Sequence, residues 1–233
     1  TNLDQELGRF FRRLEELGQA DNTLVLFSSD NGPEDIYIQN AAHSAVGSPG
    51  PFRGRKRSLY EGGVRLPFIA RWPGHVPAGR VDDRSVMSAV DFAPTLTRLA
   101  KAEPLPNPDG EDRIGPLLGQ PAPRRTDLFW EWRFSVAGYY ANRCPILSIR
   151  GGDHKLLMNP DRSRVELYDI PRDPGEAANL AAQQPKVVEA LAAKVLAWQK
   201  TLPPGPMDPG AGSLDYPWPK ADTIAPNAKG ASR

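Results

Sequence analysis

Residues 24–35, LVLFSSDNGPED, decide how this chain is interpreted. Residues 24–27 are apolar without polar alternation, which is typical of a strand buried on both faces of a parallel sheet. An amphipathic helix precedes this strand and is expected to end near Gly18. Its apolar face carries Leu3, Leu7, Phe10, Phe11, Leu14 and Leu17. A helix, a short turn and a buried strand together predict an α/β domain.

The strand ends abruptly in an acid, an amide and a glycine, Asp30, Asn31 and Gly32. In open α/β sheets, ligands bind outside the carboxyl ends of the strands. A carboxylate beside an amide carbonyl supplies two hard oxygen ligands, which suit Ca²⁺ or Mg²⁺. The alternative is an Asx-turn, in which the side chain bonds its own backbone and the glycine supplies a positive φ.

Composition limits the classes of function. The chain has 233 residues, 39% of them hydrophobic, which is enough for one large core or for a medium domain with a small companion. A formal net charge of +1 gives no broad electrostatic case for nucleic acid or an anionic membrane. The single Cys144 excludes an internal disulfide and a thiolate-cluster metal site. No apolar run reaches the length of a membrane span.

The rest of the chain predicts further elements. A strand is expected in LPFIARW from Leu66, and a helix from Asp91, whose side chain is expected to cap it. Residues 31–63 are mostly loop, and a loop this long in a compact domain is typically functional or disordered. Beyond a proline-rich connector, short strands are predicted in PILSIR, HKLLM and VELYDI, followed by an amphipathic helix over residues 185–202.

A basic cluster lies in FRGRKRSLYEGGVR, residues 52–65. One interpretation is a solvated basic loop or a nucleic-acid patch. On a nearly neutral chain, however, a five-residue cluster flanked by glycines favours one local anion site.

Three stretches, SSDNGPE, FRGRKRSLYEGGVRLPFIARWPG and LYDIPRDPGEAANLA, occur in that order. Together they resemble the formylglycine-dependent sulfatases of the alkaline-phosphatase-like superfamily over residues 1–202. The resemblance implies an α/β alkaline-phosphatase-like sheet-and-helix domain, of which residues 1–125 are the later part. A small α+β subdomain over residues 126–202 and a proline- and glycine-rich tail over residues 203–233 follow.

The resemblance also implies roles for individual residues. Asp30 and Asn31 match the acid and amide that complete a divalent cation site, with Ca²⁺ expected more than Mg²⁺. Lys56 matches the lysine that binds a sulfate oxygen. Arg53 and Arg57 are expected substrate contacts. His43 matches no position of the family motif, and as a lone loop histidine it is either a surface or structural residue or a substrate contact. The implied substrate is an organic sulfate ester, and the family favours a periplasmic or secreted location.

The family nucleophile, a formylglycine made from Cys or Ser, has no match here, because the surroundings of Cys144 in NRCPILS do not fit the motif. We therefore expect it in a missing N-terminal half, since the chain begins at Thr1 and enters a helical pattern at once. Three alternatives remain open. They are a phosphoesterase or phosphonate hydrolase of the same superfamily, a non-catalytic remnant that binds sulfate, and an incomplete gene product without independent function.

Overall fold

The computed structural model describes residues 2–34, 47–136 and 140–215. The chain divides into two compact units. The N-terminal unit comprises Thr1–Ser28 and Pro67–Thr126, and the C-terminal unit comprises Ser29–Leu66 and Asp127–Arg233. These units are defined by contacts within the chain and do not test the predicted domain bounds. The bounds at residues 125 and 202 therefore stay predictions. Among the described residues, no helix is both long and apolar enough to cross a bilayer.

The N-terminal unit contains three helices and a two-stranded sheet. Its helices are α1 (Asn2–Glu16), α3 (Phe92–Leu99) and α4 (Ile114–Leu117), and its strands are β1 (Val25–Ser28) and β2 (Phe68–Arg71). The strands pair antiparallel, with Val25 opposite Arg71 and Ser28 opposite Phe68. The helix, the two strands and the helix from Phe92 therefore lie where the sequence predicted them, within a few residues.

Two predictions about this unit were wrong. β1 is neither parallel to its neighbour nor buried on both faces, because it pairs antiparallel with β2 and its residues are half-buried, with Ser28 exposed. An apolar run of four residues does not encode strand direction. Asp91 does not cap α3 with its side chain. Instead its fully buried carboxylate accepts from the backbone N–H of Ser88 (2.8 Å) and of Glu111 (2.9 Å) and pairs with Arg124.

The C-terminal unit is a four-stranded antiparallel sheet with one long helix. The strands, in the order β3-β4-β5-β6, are Leu128–Glu131, Leu147–Gly151, His154–Met158 and Glu166–Asp169. The turn between β4 and β5 uses Gly152 at φ 60°, in the left-handed region that glycine tolerates. Helix α5 spans Pro185–Gln199. The sequence predicted β4, β5, β6 and α5, but it did not predict β3.

The two faces of this sheet have separate cores. On one face, alternate residues such as Leu147, Ile149 and Leu156 pack against Leu191 and Val195 of α5. On the other face, Leu157 and Tyr168 pack with Leu59 and Tyr60, which precede the short helix α2 (Glu61–Val64). The period of two along each strand divides the side chains between the faces. The second face therefore anchors the segment that contains Lys56.

Candidate functional site

Two predicted site stretches, residues 30–34 and 53–63, lie together in the C-terminal unit. The Lys56 N–H donates to the Pro33 carbonyl at 3.0 Å, and the Gly32 N–H donates to the Gly63 carbonyl at 3.0 Å. We call this pair of segments the paired loop. The structure therefore places the lysine turn beside the acid and amide that follow β1, with backbone hydrogen bonds holding the two together.

Glycine makes the close approach of these segments feasible. A Cβ atom at Gly32 would overlap the carbonyl oxygen of Gly62, and a Cβ at Gly62 would overlap that of Gly54. Backbone atoms cannot yield as a flexible side chain can, so any larger residue at Gly32 would separate the segments. The glycine after Asn31, which the Asx-turn interpretation explained by backbone φ, is required here by packing.

Asp30 and Asn31 occupy the end of the strand with different exposure. Asp30 is exposed, and Asn31 is partly buried. The Asn31 side-chain nitrogen donates to the Gly32 carbonyl at 2.9 Å, so the amide oxygen is the atom suited to a cation. Within residues 2–34, 47–136 and 140–215, no three His, Cys, Asp or Glu side chains form a group able to hold a metal ion. The metal role of Asp30 and Asn31 stays a prediction.

Lys56 lies beside a carboxylate that the sequence prediction missed. Its Nζ is 3.6 Å from Oε2 of Glu34, and the Lys56 side chain is 39% exposed whereas the Glu34 side chain is 8% exposed. The Arg57 guanidinium contacts the other carboxylate oxygen of Glu34. One buried carboxylate thus faces two cations, which leaves a net positive charge at the surface of the turn. Such a surface attracts an anion.

Arg57 has a backbone conformation that is unusual for its residue type. Its φ is 74°, in the left-handed region that side chains other than glycine, asparagine and aspartate rarely adopt. Such conformations persist where the surrounding structure fixes them, and they cluster at functional sites. The ion pair with Glu34 is one contact that holds this conformation next to Lys56. The amino-acid sequence of the motif did not predict this backbone conformation.

The arginines of the basic cluster are engaged within the chain. The Arg53 guanidinium lies 3.7 Å from the centre of the Tyr60 ring and donates to the Tyr168 hydroxyl at 3.0 Å and the Ala141 carbonyl at 3.1 Å. Arg55 donates to the Glu34 carbonyl at 2.8 Å. These contacts give Arg53 a structural role in the paired loop. Its predicted contact with substrate, like that of Arg57, stays a prediction.

Cys144 and His43 complete the sequence-predicted candidates. Cys144 is 2% exposed, and its Sγ accepts from the Leu59 N–H at 3.1 Å. Burial raises the pKa of this thiol to about 11, so the thiol is neutral at physiological pH and is not a nucleophile there. This confirms the interpretation of Cys144 as an ordinary buried thiol. His43 lies outside the described residues.

Two family models match the chain. The sulfatase model matches residues 1–102, and the model of the N-sulphoglucosamine sulphohydrolase C-terminal region matches residues 52–201. The chain belongs to the sulfatase family. The resemblance drawn from the three sequence stretches is therefore confirmed.

Curated relatives support the same family. An N-acetylgalactosamine-6-O-sulfatase of Bacteroides thetaiotaomicron is 32% identical over 81% of this chain and 39% of the relative. Human arylsulfatase A is 35% identical over 81% of this chain and 40% of the relative. The sulfatase-family chain thus spans about two fifths of the length of these relatives.

Solved structures share the fold. One, from work on glycosaminoglycan metabolism by Bacteroides thetaiotaomicron, has a TM-score of 0.65 and 31% identity, over 86% of this chain and 43% of that chain. The phosphonate monoester hydrolase of Agrobacterium radiobacter has a TM-score of 0.57 and 27% identity, over 84% of this chain and 39% of that chain. The fold is part of the alkaline-phosphatase-like α/β architecture, as predicted.

Proposed function

We propose that this chain supplies the sulfate-binding lysine and part of a divalent metal site for the hydrolysis of an organic sulfate ester. The observation that carries the proposal is the 3.0 Å hydrogen bond from the Lys56 N–H to the Pro33 carbonyl. It joins the turn that presents an ammonium to the stretch that presents Asp30 and Asn31. A cation site and an anion site on neighbouring backbone segments would suit a sulfate group, with Asp30 and Asn31 holding the metal and Lys56 binding the sulfate.

Lys56 is the proposed catalytic residue. Its ammonium binds a sulfate oxygen and stabilises the charge that develops as the alcohol leaves. Of the three basic residues predicted to contact substrate from this turn, Lys56 has the most exposed side chain, at 39% compared with 29% for both Arg53 and Arg57. Substrate therefore reaches Lys56 more readily, and the two arginines are secondary substrate contacts.

Asp30 and Asn31 are the proposed metal ligands, with Ca²⁺ favoured over Mg²⁺. A bound divalent cation polarises the sulfate oxygens. Calcium takes about six to eight oxygen ligands, so these two residues form only part of its shell. The remaining ligands and the formylglycine nucleophile are proposed to lie in a segment equivalent to the part of the relatives that this chain does not match. By itself this chain is then inactive.

The candidate substrate classes are aryl, sugar and steroid sulfates, because relatives that match this chain are named arylsulfatase A, N-acetylgalactosamine-6-O-sulfatase and steryl-sulfatase. A phosphonate monoester hydrolase is the second candidate. It is favoured by the structural likeness to the Agrobacterium radiobacter enzyme, and a metal with a lysine binds phosphonate as readily as sulfate.

The test uses residues 1–233 joined to a nucleophile-bearing segment, which we call the complete enzyme. Turnover of a fluorogenic aryl sulfate is measured for the complete enzyme, for its Asp30→Ala and Lys56→Ala variants, and for residues 1–233 alone. We expect full turnover in the unsubstituted complete enzyme, strongly reduced turnover in both variants, and none from residues 1–233 alone. Unchanged turnover in both variants would contradict the proposed site.

A further inference from the structure

A buried cluster of three charged side chains connects the paired loop to the sheet of the C-terminal unit. Lys155 of β5 is fully buried, and its Nζ is 2.8 Å from Oε1 of Glu61 and 3.0 Å from Oε1 of Glu176. Glu61 begins α2, and Glu176 follows β6. We call these residues the charge cluster. Each member comes from a different part of the chain.

Besides these two ion pairs, the charge cluster makes hydrogen bonds that involve backbone groups. The second carboxylate oxygen of Glu176 accepts from the Glu61 backbone N–H at 2.6 Å, and the Glu176 carbonyl accepts from Arg53 at 3.4 Å. Glu176 itself has a φ of 53°, again in the left-handed region. Glu176, a residue with a strained backbone, therefore binds the first residue of α2 through its carboxylate and Arg53 of the paired loop through its carbonyl.

Stability alone does not account for charges in this position. Removing an ammonium and two carboxylates from water is costly, and well-packed apolar side chains often serve a core as well or better. An ion cluster differs from apolar packing because it tolerates only one relative placement of its members. Here that placement sets the position of the Glu61 backbone relative to β5.

Short backbone hydrogen bonds connect the segment at Glu61 to the turn that contains Lys56. The Gly62 N–H donates to the Arg53 carbonyl at 2.6 Å, and the Ser58 N–H donates to the Arg55 carbonyl at 2.9 Å. The first bond joins the residue after Glu61 to Arg53, and the second closes the turn that carries Lys56. A shift of Glu61 is therefore expected to move Arg53 and the turn that follows it.

We propose that Lys155 and Glu176 are positioning residues that hold the Lys56 turn in its geometry. The catalytic meaning of this role rests on the proposed sulfatase function, whereas the geometric role does not. Neither residue touches the predicted sulfate position, because Lys155 is fully buried and Glu176 is 1% exposed. Lys155 acts through Glu61, and Glu176 acts through Glu61 and Arg53.

The test measures native-state amide hydrogen exchange in residues 53–60 of the full chain. The variants are Lys155→Met and Glu176→Gln, and the matched control is Leu191→Ala, which weakens the α5 face of the same sheet without touching the paired loop. The acetylation rate of Lys56 is measured in parallel. Exchange is measured at about pH 8, above the pKa of about 7 for Glu176, so that its carboxyl is ionised. Glu176→Gln preserves side-chain volume but leaves one oxygen acceptor for two donors, Lys155 and the Glu61 N–H, so it tests the proposal if Lys155→Met does not fold.

We expect residues 53–60 to exchange about tenfold faster in Glu176→Gln while β4 and β5 keep their protection, with Lys56 acetylated at an altered rate. Leu191→Ala is expected to raise exchange across the sheet and leave the ratio of loop to sheet unchanged. Equal acceleration of loop and sheet in Glu176→Gln, or no acceleration, would overturn the proposal. Since the measurement needs no turnover, a failed sulfatase assay leaves this result interpretable.

Discussion

At the scale of residues, the site depends on the division of charge around one carboxylate. Glu34 faces Lys56 and Arg57 together, and only Lys56 has a side chain more than a third exposed. In the proposed site, the contact with Glu34 already restricts the Lys56 ammonium, so less rotamer entropy would be lost when a sulfate binds. This arrangement favours Lys56 over its arginine neighbours as the residue that responds to charge in the transition state.

Replacing Lys56 by alanine is expected to lower kcat of the complete enzyme by roughly 100-fold or more, because the lost group acts mainly in the transition state. Arg53→Ala and Arg57→Ala are the comparison variants, since each also removes one positive charge from the turn. Their melting temperatures are measured alongside, because Arg53 also contacts Tyr60 and Tyr168 and Arg57 pairs with Glu34. Steady-state kinetics with an aryl sulfate separates kcat from KM. If either arginine variant loses far more kcat than Lys56→Ala, the assignment of Lys56 is wrong.

Asp30→Ala is expected to weaken calcium binding to the complete enzyme and to abolish most turnover, because a charged oxygen ligand is lost. Isothermal titration calorimetry with calcium measures the affinity. Asp35→Ala, five residues along the chain, controls for the loss of one negative charge. Unchanged affinity with intact turnover in Asp30→Ala would remove Asp30 from the site.

At the scale of elements, α2 and the sheet of the C-terminal unit form the support for the paired loop. The sequence predicted β4, β5, β6 and α5 because alternating and helical apolar patterns are local. It did not predict β3 (Leu128–Glu131). It also missed the partners of the loop, because the contacts of Glu34 and Glu176 join residues that no periodic pattern relates.

Glu176 gives this support a pH dependence. Burial raises its pKa to about 7, partly offset by Lys155, while Glu61, Tyr168 and Arg53 are the other charged or titratable neighbours. A carboxyl whose folded-state pKa exceeds its ordinary value favours folding when protonated. The stabilisation of the folded state by Glu176 is full below about pH 4.5. The free energy of unfolding then falls by roughly 2 to 3 kcal/mol as the pH rises to about 7.

Glu176→Gln is therefore expected to lose this component of the pH dependence. Chemical denaturation followed by tryptophan fluorescence gives the free energy of unfolding between about pH 5 and 8 for the chain and the variant. The difference between them should change across about pH 4.5 to 7 and be flat above it. A constant difference over the whole range would show that Glu176 does not titrate there.

At the scale of the whole molecule, the two units differ in how well they bury their apolar residues. The C-terminal unit has two buried cores, whereas no residue of α1 is buried and the Leu3, Phe10 and Leu17 side chains are 63%, 45% and 54% exposed. The apolar stripe of α1 was predicted from its spacing. The sequence did not predict that Leu3, Phe10 and Leu17 of this stripe are exposed among the described residues, because periodicity identifies an apolar face but not the surface that covers it.

Residues 1–233 alone are accordingly expected to self-associate, since exposed apolar faces and a two-stranded sheet invite contact with other chains. Size-exclusion chromatography with light scattering measures the association. Phe10→Gln should reduce it, whereas Arg9→Gln, one position along the same helix, should not. A monodisperse, cooperatively melting monomer of the unsubstituted chain would contradict this expectation.

The specificity of the complete enzyme tests the central claim most directly. Its kcat/KM is measured with an aryl sulfate and with the phosphonate monoester of the same aryl alcohol, so the leaving group is identical and only the transferred group differs. We expect the sulfate ester to be hydrolysed at least about tenfold more efficiently, with both activities reduced by Lys56→Ala. Preference for the phosphonate monoester, or sulfate hydrolysis unaffected by Lys56→Ala, would contradict the account.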